Sequence, residues 1–394
     1  GFDFIFANLR FVVLDELHTY RGAFGSHMAN VCRRLERICR YYHSEPQYLC
    51  SSATIANPVE LAEKICGKTF CSVSRDGSGA AQRRYCLIQP PRIKGKDGQY
   101  YGQESAVATA AQILPQLLEE GKSFLAFTRS RRNVEIVLKE TRDRLEQAGF
   151  PGKKQGNQIS GYRGGYTPEE RKEIERKMIA GELLGLVSTN ALELGIDIGQ
   201  ISTTVLVGYP GTRASFWQQT GRAGRSKNES TSYLILDQQS MDQYIALEPD
   251  WLFENSSENA VIDPDNLLIE LAHIRAAAAE LPLSLDDIAL FPDLGETIPV
   301  LLNMEELRSQ NGRFAWSGGE YPAGEFSMRN IDENQYQLID RDSGKVITRM
   351  DESQAFREIH QGAIYLHDGE SYQVVELNQE SKTGYATAFH GNYY

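Results

Sequence analysis

Asp15 and Glu16 stand side by side directly after the apolar run Phe11-Val12-Val13-Leu14, and Leu17-His18 follow them. A carboxylate at the end of a buried strand can hold Mg²⁺ through water, because Mg²⁺ keeps most of its hydration shell and takes one or two acidic ligands. The adjacent Glu can accept a proton from, or orient, a water that attacks a phosphoryl group. Taken alone, such a pair is usually the start of a helix. Other polar runs also close apolar ones: Ser52-Ala53-Thr54, the stretch Ser188-Thr189-Asn190-Ala191-Leu192-Glu193-Leu194-Gly195-Ile196-Asp197, and Gln218-Gln219-Thr220-Gly221-Arg222-Ala223-Gly224-Arg225. Phosphoryl transfer needs cations on the transferring group, and arginines from a facing domain supply them when a cleft closes. Arg222 and Arg225, separated by a small-residue turn, suit that task; a lone G-R-x-G-R is equally a turn with a basic surface. Tyr162-Arg163-Gly164-Gly165-Tyr166 offers a cation and flexible glycines to a phosphate backbone, or is a tight strand-to-helix turn.

The elements that must position these residues follow an α/β rhythm. Phe11 to Leu14 reads as a buried strand. Phe24, Met28, Val31, Leu35 and Ile38 then mark one face of a helix. Tyr48-Leu49-Cys50 is a second strand. Strands that end in polar residues before helices indicate a parallel sheet with ligands at the strands' C-terminal ends. Cys86-Leu87-Ile88-Gln89-Pro90-Pro91 with the Gly- and Lys-rich residues after it reads as a domain boundary. The rhythm then restarts with strands at Ser123 to Phe127, Leu183 to Ser188, Thr204 to Val207 and Tyr233 to Leu236. Asn133 to Leu145 is a helix, and Thr167-Pro168-Glu169-Glu170 begins another with a capping box. Leu267 to Leu281 is an alanine-rich helix, Ser284-Leu285-Asp286-Asp287 starts one more, and Gly362 to Val375 reads as a hairpin around Asp368-Gly369.

With 394 residues the chain has room for roughly two to three domains. Its 41% hydrophobic and 24% charged content fits an ordinary soluble protein, and no apolar run approaches the length of a membrane helix. The net charge of −12 argues against coating nucleic acid through bulk charge. A local basic track is another matter: Arg129-Ser130-Arg131-Arg132, Lys153-Lys154, Arg163 and Arg171-Lys172 make the middle far more basic than the acidic last third. The six cysteines form no C-x-x-C pair and read as reduced thiols of a cytoplasmic protein. The start, Gly1-Phe2-Asp3-Phe4, carries neither an initiator Met nor a secretory pattern, so the sequence reads as a cut through a longer protein.

Taken in order, these runs resemble the superfamily-two helicases. DELH resembles motif II, SAT motif III, Phe127-Thr128-Arg129-Ser130-Arg131 the motif IV region, STNALELGID motif V and QQTGRAGR motif VI. DELHTYRGAFGSHMANVCRRLERI, YRGGYTPEERKEIE, TNALELGIDIG and GAIYLHDGESYQVVEL narrow the resemblance to the bacterial mitomycin-repair-factor helicases and their fungal relatives, over nearly the whole chain. The resemblance implies two RecA-like, doubly wound parallel-sheet domains, the first one partial. It places the partial domain at 1–85 and the second at 86–245, a linker and winged-helix-like region at 246–330, and a small β segment at 331–394. It further implies that Asp15 binds Mg²⁺ and Glu16 activates water, with His18 linking the nucleotide site to the second domain. Ser52, Ala53 and Thr54 would couple hydrolysis to domain movement. Thr189, Gly195 and Asp197 would lie near the nucleotide or the nucleic-acid backbone, and Gln218, Arg222 and Arg225 would reach the phosphates. Thr128, Arg129, Arg163 and Gly164 are the candidates for nucleic-acid contact.

The chain departs from the family in two places. No G-x-x-x-x-G-K-[ST] loop occurs; Gly67-Lys68-Thr69 is a decoy, since Ala62 stands where the first glycine belongs. The family's C-terminal cluster of four cysteines, its zinc site, is also absent. The expectation is therefore an ATP- and Mg²⁺-dependent DNA helicase of the repair type, 3′ to 5′, working as a monomeric motor, with this segment alone inactive. An RNA helicase of the DExH class and a non-catalytic nucleic-acid-binding chain are the alternatives.

Overall fold

A computed structural model describes the chain except residues 1–2, 54, 76, 78–81, 96, 148–157, 164–165, 194–197, 225–228, 255, 320, 325, 327, 329–334, 368–369 and 390–394. The chain divides into two compact units, each discontinuous in sequence: Gly1–Asp76 with Ser256–Ile331, and Gly77–Asn255 with Asp332–Tyr394.

The first unit begins with α1 (Asp3–Ala7), β1 (Phe11–Leu14), α2 (Gly22–Tyr41), β2 (Gln47–Cys50) and α3 (Pro58–Cys66). The strands β1 and β2 pair in parallel, with α2 as the crossover that a parallel pair needs. Leu14 and Tyr48 turn toward the helices and are buried with Leu61, Ile65 and Cys32. Phe11, Val13 and Leu49 face the other way and are exposed. The expected fully buried strand is thus covered on one face only, because α2 and α3 both pack on the same side.

The second unit starts with β3 (Arg83–Ile88), the hairpin β4 (Arg92–Lys94) and β5 (Tyr100–Gln103), α4 (Ala106–Glu119), β6 (Phe124–Thr128), α5 (Arg131–Gln147), β7 (Ile159–Tyr162) and α6 (Pro168–Ile179). It continues with β8 (Gly185–Ser188), β9 (Thr203–Val207), α7 (Arg213–Thr220), β10 (Ser230–Ile235), α8 (Ser240–Leu247) and α9 (Asp250–Glu254). Six strands form one parallel sheet in the order β3-β10-β9-β6-β8-β7. Successive side chains of a strand point to opposite faces. Leu125 and Phe127 accordingly join Met178, Phe216 and Ile245 on one face, while Phe124 and Ala126 join Leu114, Val137 and Leu138 on the other. Helices cover both faces, the doubly wound RecA-like arrangement. Cys86 to Ile88, read from sequence as a boundary, lie in the edge strand β3.

The chain then returns to the first unit as α10 (Leu267–Glu280), α11 (Leu294–Asn303) and the hairpin β11 (Leu307–Gln310) and β12 (Arg313–Trp316). Two helices followed by a hairpin around Ile274, Phe291, Leu294, Ile298 and Leu307 make a winged-helix-like module. Charge holds it to α2. Arg37, buried, pairs with Asp287 at 3.0 Å and donates to the carbonyls of Ala277, Leu281 and Pro282 at and just past the end of α10. Arg33 pairs with Asp265, and Arg34 pairs with Glu280. The polar side of α2 is therefore interior as well, which the 3.6-residue apolar pattern could not show.

The last segment belongs to the second unit: β13 (Gln335–Asp340), β14 (Val346–Asp351), α12 (Glu352–Glu358), β15 (Ile364–His367), β16 (Glu370–Asn378) and β17 (Thr383–Ala388), in a sheet ordered β14-β13-β17-β16-β15. The expected hairpin is β15–β16; its turn, Asp368-Gly369, lies outside the described residues. This sheet is fastened to the larger one by Arg163. That guanidinium, 1% exposed, donates to Glu135 at 2.7 Å, to the Tyr365 hydroxyl at 2.9 Å and to the Leu366 carbonyl at 3.1 Å. It also faces His367 Nδ1 at 3.3 Å.

Burial, then the Arg163 charge, holds the His367 imidazole down at about 3. In the first unit burial and then Arg34 do the same to His273, also to about 3. Both rings stay neutral when folded, while in the unfolded chain they take up protons below about 6.5. Stability is therefore expected to fall on acidification from about 6.5 to about 3. His273→Gln or His367→Gln should flatten that fall by up to about 1.4 kcal/mol per pH unit, and unfolding curves with unchanged pH slopes would exclude the effect. Glu135→Gln, which leaves the buried Arg163 opposite a neutral amide, is expected to cost about 3–5 kcal/mol in denaturant unfolding; a cost near zero would refute the pairing.

Candidate nucleotide and nucleic-acid site

In the first unit the acidic turn sits at the shared C-terminal end of β1 and β2. Glu16 has φ 53° and ψ 47°, a left-handed conformation uncommon outside glycine. It is held there by its neighbours. The Ser51 amide donates to the Leu14 carbonyl at 3.0 Å, and the Leu17 amide donates to the Ser51 carbonyl at 2.8 Å. The Ser51 hydroxyl donates to Asp15 Oδ1, which also accepts the Glu16 amide at 3.0 Å. Asp15 is exposed and its other oxygen has no hydrogen bond among the described residues. One oxygen fixed and one facing solvent fits a water-mediated Mg²⁺ ligand.

His18 is buried, and its Nδ1 accepts the Ala53 amide at 3.1 Å. That nitrogen therefore carries no proton, and the Glu16 carboxylate 3.5 Å away is a neighbour and not an ion-pair partner. The imidazole ties the acidic turn to the Ser52-Ala53 segment. Ser52 is exposed and donates to the Ala53 carbonyl; Thr54 lies outside the described residues.

In the second unit the candidates gather at the C-terminal ends of β6, β8 and β9. Thr189 caps a short 3-10 turn, Asn190–Leu192, by accepting the Ala191 amide. Arg222 is buried, and its Nε donates to the Glu193 carbonyl at 3.1 Å. Gln219 donates to the Glu193 carboxylate at 3.0 Å. Glu193 thus joins the Ser188–Asp197 run to the Gln218–Arg225 run. Its role was missed in the sequence, where it stood among candidates with nothing to distinguish it. Gln218 is half-buried on α7; Gly195, Asp197 and Arg225 lie outside the described residues, as do Gly164, Lys153 and Lys154.

Two candidates for nucleic-acid contact are committed elsewhere. Arg163 is the interior fastener described above, its donors met by Glu135, the Tyr365 hydroxyl and the Leu366 carbonyl. Arg129 donates to the Tyr209 carbonyl at 2.7 Å and to Asp242 at 2.6 Å. Asp242, fully buried, also accepts the amides of Tyr209 and Asp237. Arg129 therefore braces three strand ends, helped by Gly208, whose φ of +83° and missing side chain let the guanidinium lie against the backbone. The partner acid is 113 residues away, so no local pattern could announce it. Thr128 donates to the Ser130 carbonyl at 3.0 Å and closes the turn into α5. Phe216 is buried and Trp217 packs against Tyr85 and Phe253, which gives both a packing role.

Residues 2–62 match the DEAD/DEAH box helicase family, and residues 109–227 match the helicase conserved C-terminal domain. The chain is 40% identical over 393 residues to the uncharacterized ATP-dependent helicase YprA of Bacillus subtilis, covering 99% of this chain and 51% of that protein. It is 33% identical over 389 residues to the ATP-dependent helicase HRQ1 of Saccharomyces cerevisiae, covering 95% of this chain and 35% of that one. The crystal structure of the DUF1998 helicase MrfA bound to DNA and AMPPNP is similar with a TM-score of 0.90 at 40% identity, covering 100% of this chain and 54% of that chain. The chain spans about half the length of YprA and MrfA and about a third of HRQ1. With the two family matches in chain order on an acidic strand end and a doubly wound second unit, the chain belongs to the superfamily-two DEAD/DEAH-box helicases.

Proposed function

We propose that this chain is the motor portion of an ATP-dependent DNA helicase that serves DNA repair and moves 3′ to 5′ along one strand. The observation that carries the reading is the acidic turn: a solvent-facing Asp15 and a left-handed Glu16, stitched to the Ser51-to-Ala53 segment through Ser51 and His18. Similarity to proteins named as ATP-dependent helicases, and to one captured with DNA and AMPPNP, supports it.

Bound Mg²⁺ would neutralise charge developing on the transferred phosphoryl group. Asp15 would hold it through water, with Ser51 fixing the carboxylate's orientation. Glu16 would orient the attacking water and accept its proton. The neutral His18 would pass any shift of the acidic turn to Ala53. Arg222 and Gln218, with Arg225, would supply the groups that face the phosphates. Thr189, Gly195 and Asp197 would line the nucleotide or the strand.

Because none of the 394 residues spells G-x-x-x-x-G-K-[ST], we infer that this chain alone turns over no ATP. Phosphate release by the isolated chain is expected to stay at the buffer background with or without DNA, and clear turnover would contradict this. In a longer chain that carries such a loop, Glu16→Gln should abolish turnover and leave nucleotide binding largely intact. Wild-type turnover in that variant would remove Glu16 from the mechanism. Faster separation of RNA than DNA duplexes by that longer chain would replace the DNA assignment.

A further inference from the structure

The second unit contains a cavity of about 620 Å³ between the start of α5 and the C-terminal sheet. Its charged lining comprises Arg131, Arg132, Arg163 and Arg357 against Glu135 and Glu358. Arg163 and Glu135 cancel each other, at 2.7 Å and both 1% exposed. Among the described residues, the lining then holds the guanidiniums of Arg131, Arg132 and Arg357 and the carboxylate of Glu358. Arg131 donates to Gln354 Oε1 at 2.5 Å, a neutral amide that orients the guanidinium without compensating its charge. Arg132 is exposed and has no ion pair among the described residues. The N-terminus of the 17-residue α5 adds the positive end of its dipole, although the Asn133 and Val134 amides already donate to Ser130. In a chain of net charge −12 this concentration of positive charge is local, not a share of a basic surface.

We propose that this cavity holds the phosphodiester backbone of a single nucleic-acid strand, gripped by Arg132 from α5 and Arg357 from α12, with Arg131 held ready by Gln354. The proposal rests on the nucleic-acid reading above and adds to it a contact made by Arg132 and by Arg357 of α12, both outside the motif runs. Guanidinium is the group suited to phosphate, since its planar fork gives two parallel hydrogen bonds to two oxygens. Arg132 and Arg357 are both exposed at the rim, so the cavity can admit a segment of a continuous strand. Ile364 and Tyr365 on β15 add an apolar wall against which sugar or base can lie. The arrangement also gives the basic run Arg129 to Arg132 a division of labour: Arg129 is spent on Asp242, while Arg131 and Arg132 face the cavity.

The test is fluorescence anisotropy of a labelled oligodeoxythymidine with the 394-residue chain over a salt series, comparing wild type, R132A/R357A and R132K/R357K. On a single strand, removing one arginine–phosphate pair lowers the slope of log affinity against log salt by about 0.7, so the alanine pair should lower it by about 1.4 and bind more weakly. The lysine pair should keep most of the slope. Both positions are exposed, so folding is not at stake. An unchanged slope in the alanine pair, with wild type still binding, overturns the cavity and leaves the helicase reading standing. A wild-type chain that binds no oligonucleotide overturns both. Calorimetric titration with inorganic pyrophosphate separates the sources: arginine-dependent pyrophosphate binding with an unchanged oligonucleotide slope assigns the cavity to a free anion and refutes the strand.

Discussion

The pairing of β1 with β2 runs one residue past both strands, through the Ser51 amide to Leu14 and the Leu17 amide to the Ser51 carbonyl. Everything chemical in the first unit hangs on that extension. It forces the chain to turn at Glu16 with a positive φ, presents Asp15 to solvent, and brings the Ser51 hydroxyl onto the Asp15 carboxylate. A left-handed glutamate costs of order 1–3 kcal/mol, and such strain persists only where surrounding bonds over-determine it. Here the surrounding bonds come from the next strand, so the geometry of the acidic turn reports the position of the segment that follows β2.

The second unit applies the same logic with different chemistry. Its candidate residues lie at the C-terminal ends of parallel strands, where ligands of open α/β sheets bind. The runs from Ser188 and from Gln218 are joined by backbone and carboxylate contacts of Glu193. Arg129 and Asp242 brace the neighbouring loops. Much of the polar inventory thus holds the loops that would carry ligand contacts, and only part of it is left to make them.

Local pattern made a good deal of this legible. The capping box at Thr167 and Glu170 forms as read, because both partners lie within one turn. The strands around Phe124–Thr128 and Thr203–Val207 stood out because both faces are covered and their residues are mostly apolar. The acidic turn was legible because its residue types are adjacent. What escaped notice depends on distance along the chain. Arg163 looked like a surface cation beside two glycines, but its partners Glu135 and Tyr365 are 28 and 202 residues away. The hairpins β4–β5 and β11–β12 are short and largely exposed, so they lack the alternating burial that marks a strand. The discontinuous first unit was equally hidden, since it is built on arginines of α2 reaching residues more than two hundred positions later.

That arginine seam has a mechanical consequence. The helix α2 has 20 residues, so it spans about 30 Å; it starts just after the acidic turn and carries Arg33, Arg34 and Arg37 against the winged-helix-like module. A stiff rod that follows the acidic turn in the chain and is held along its flank by charge-assisted bonds works as a lever arm. Sub-ångström adjustments near Glu16 would reach the wing as a swing of larger amplitude, with no hinge required in the intervening chain.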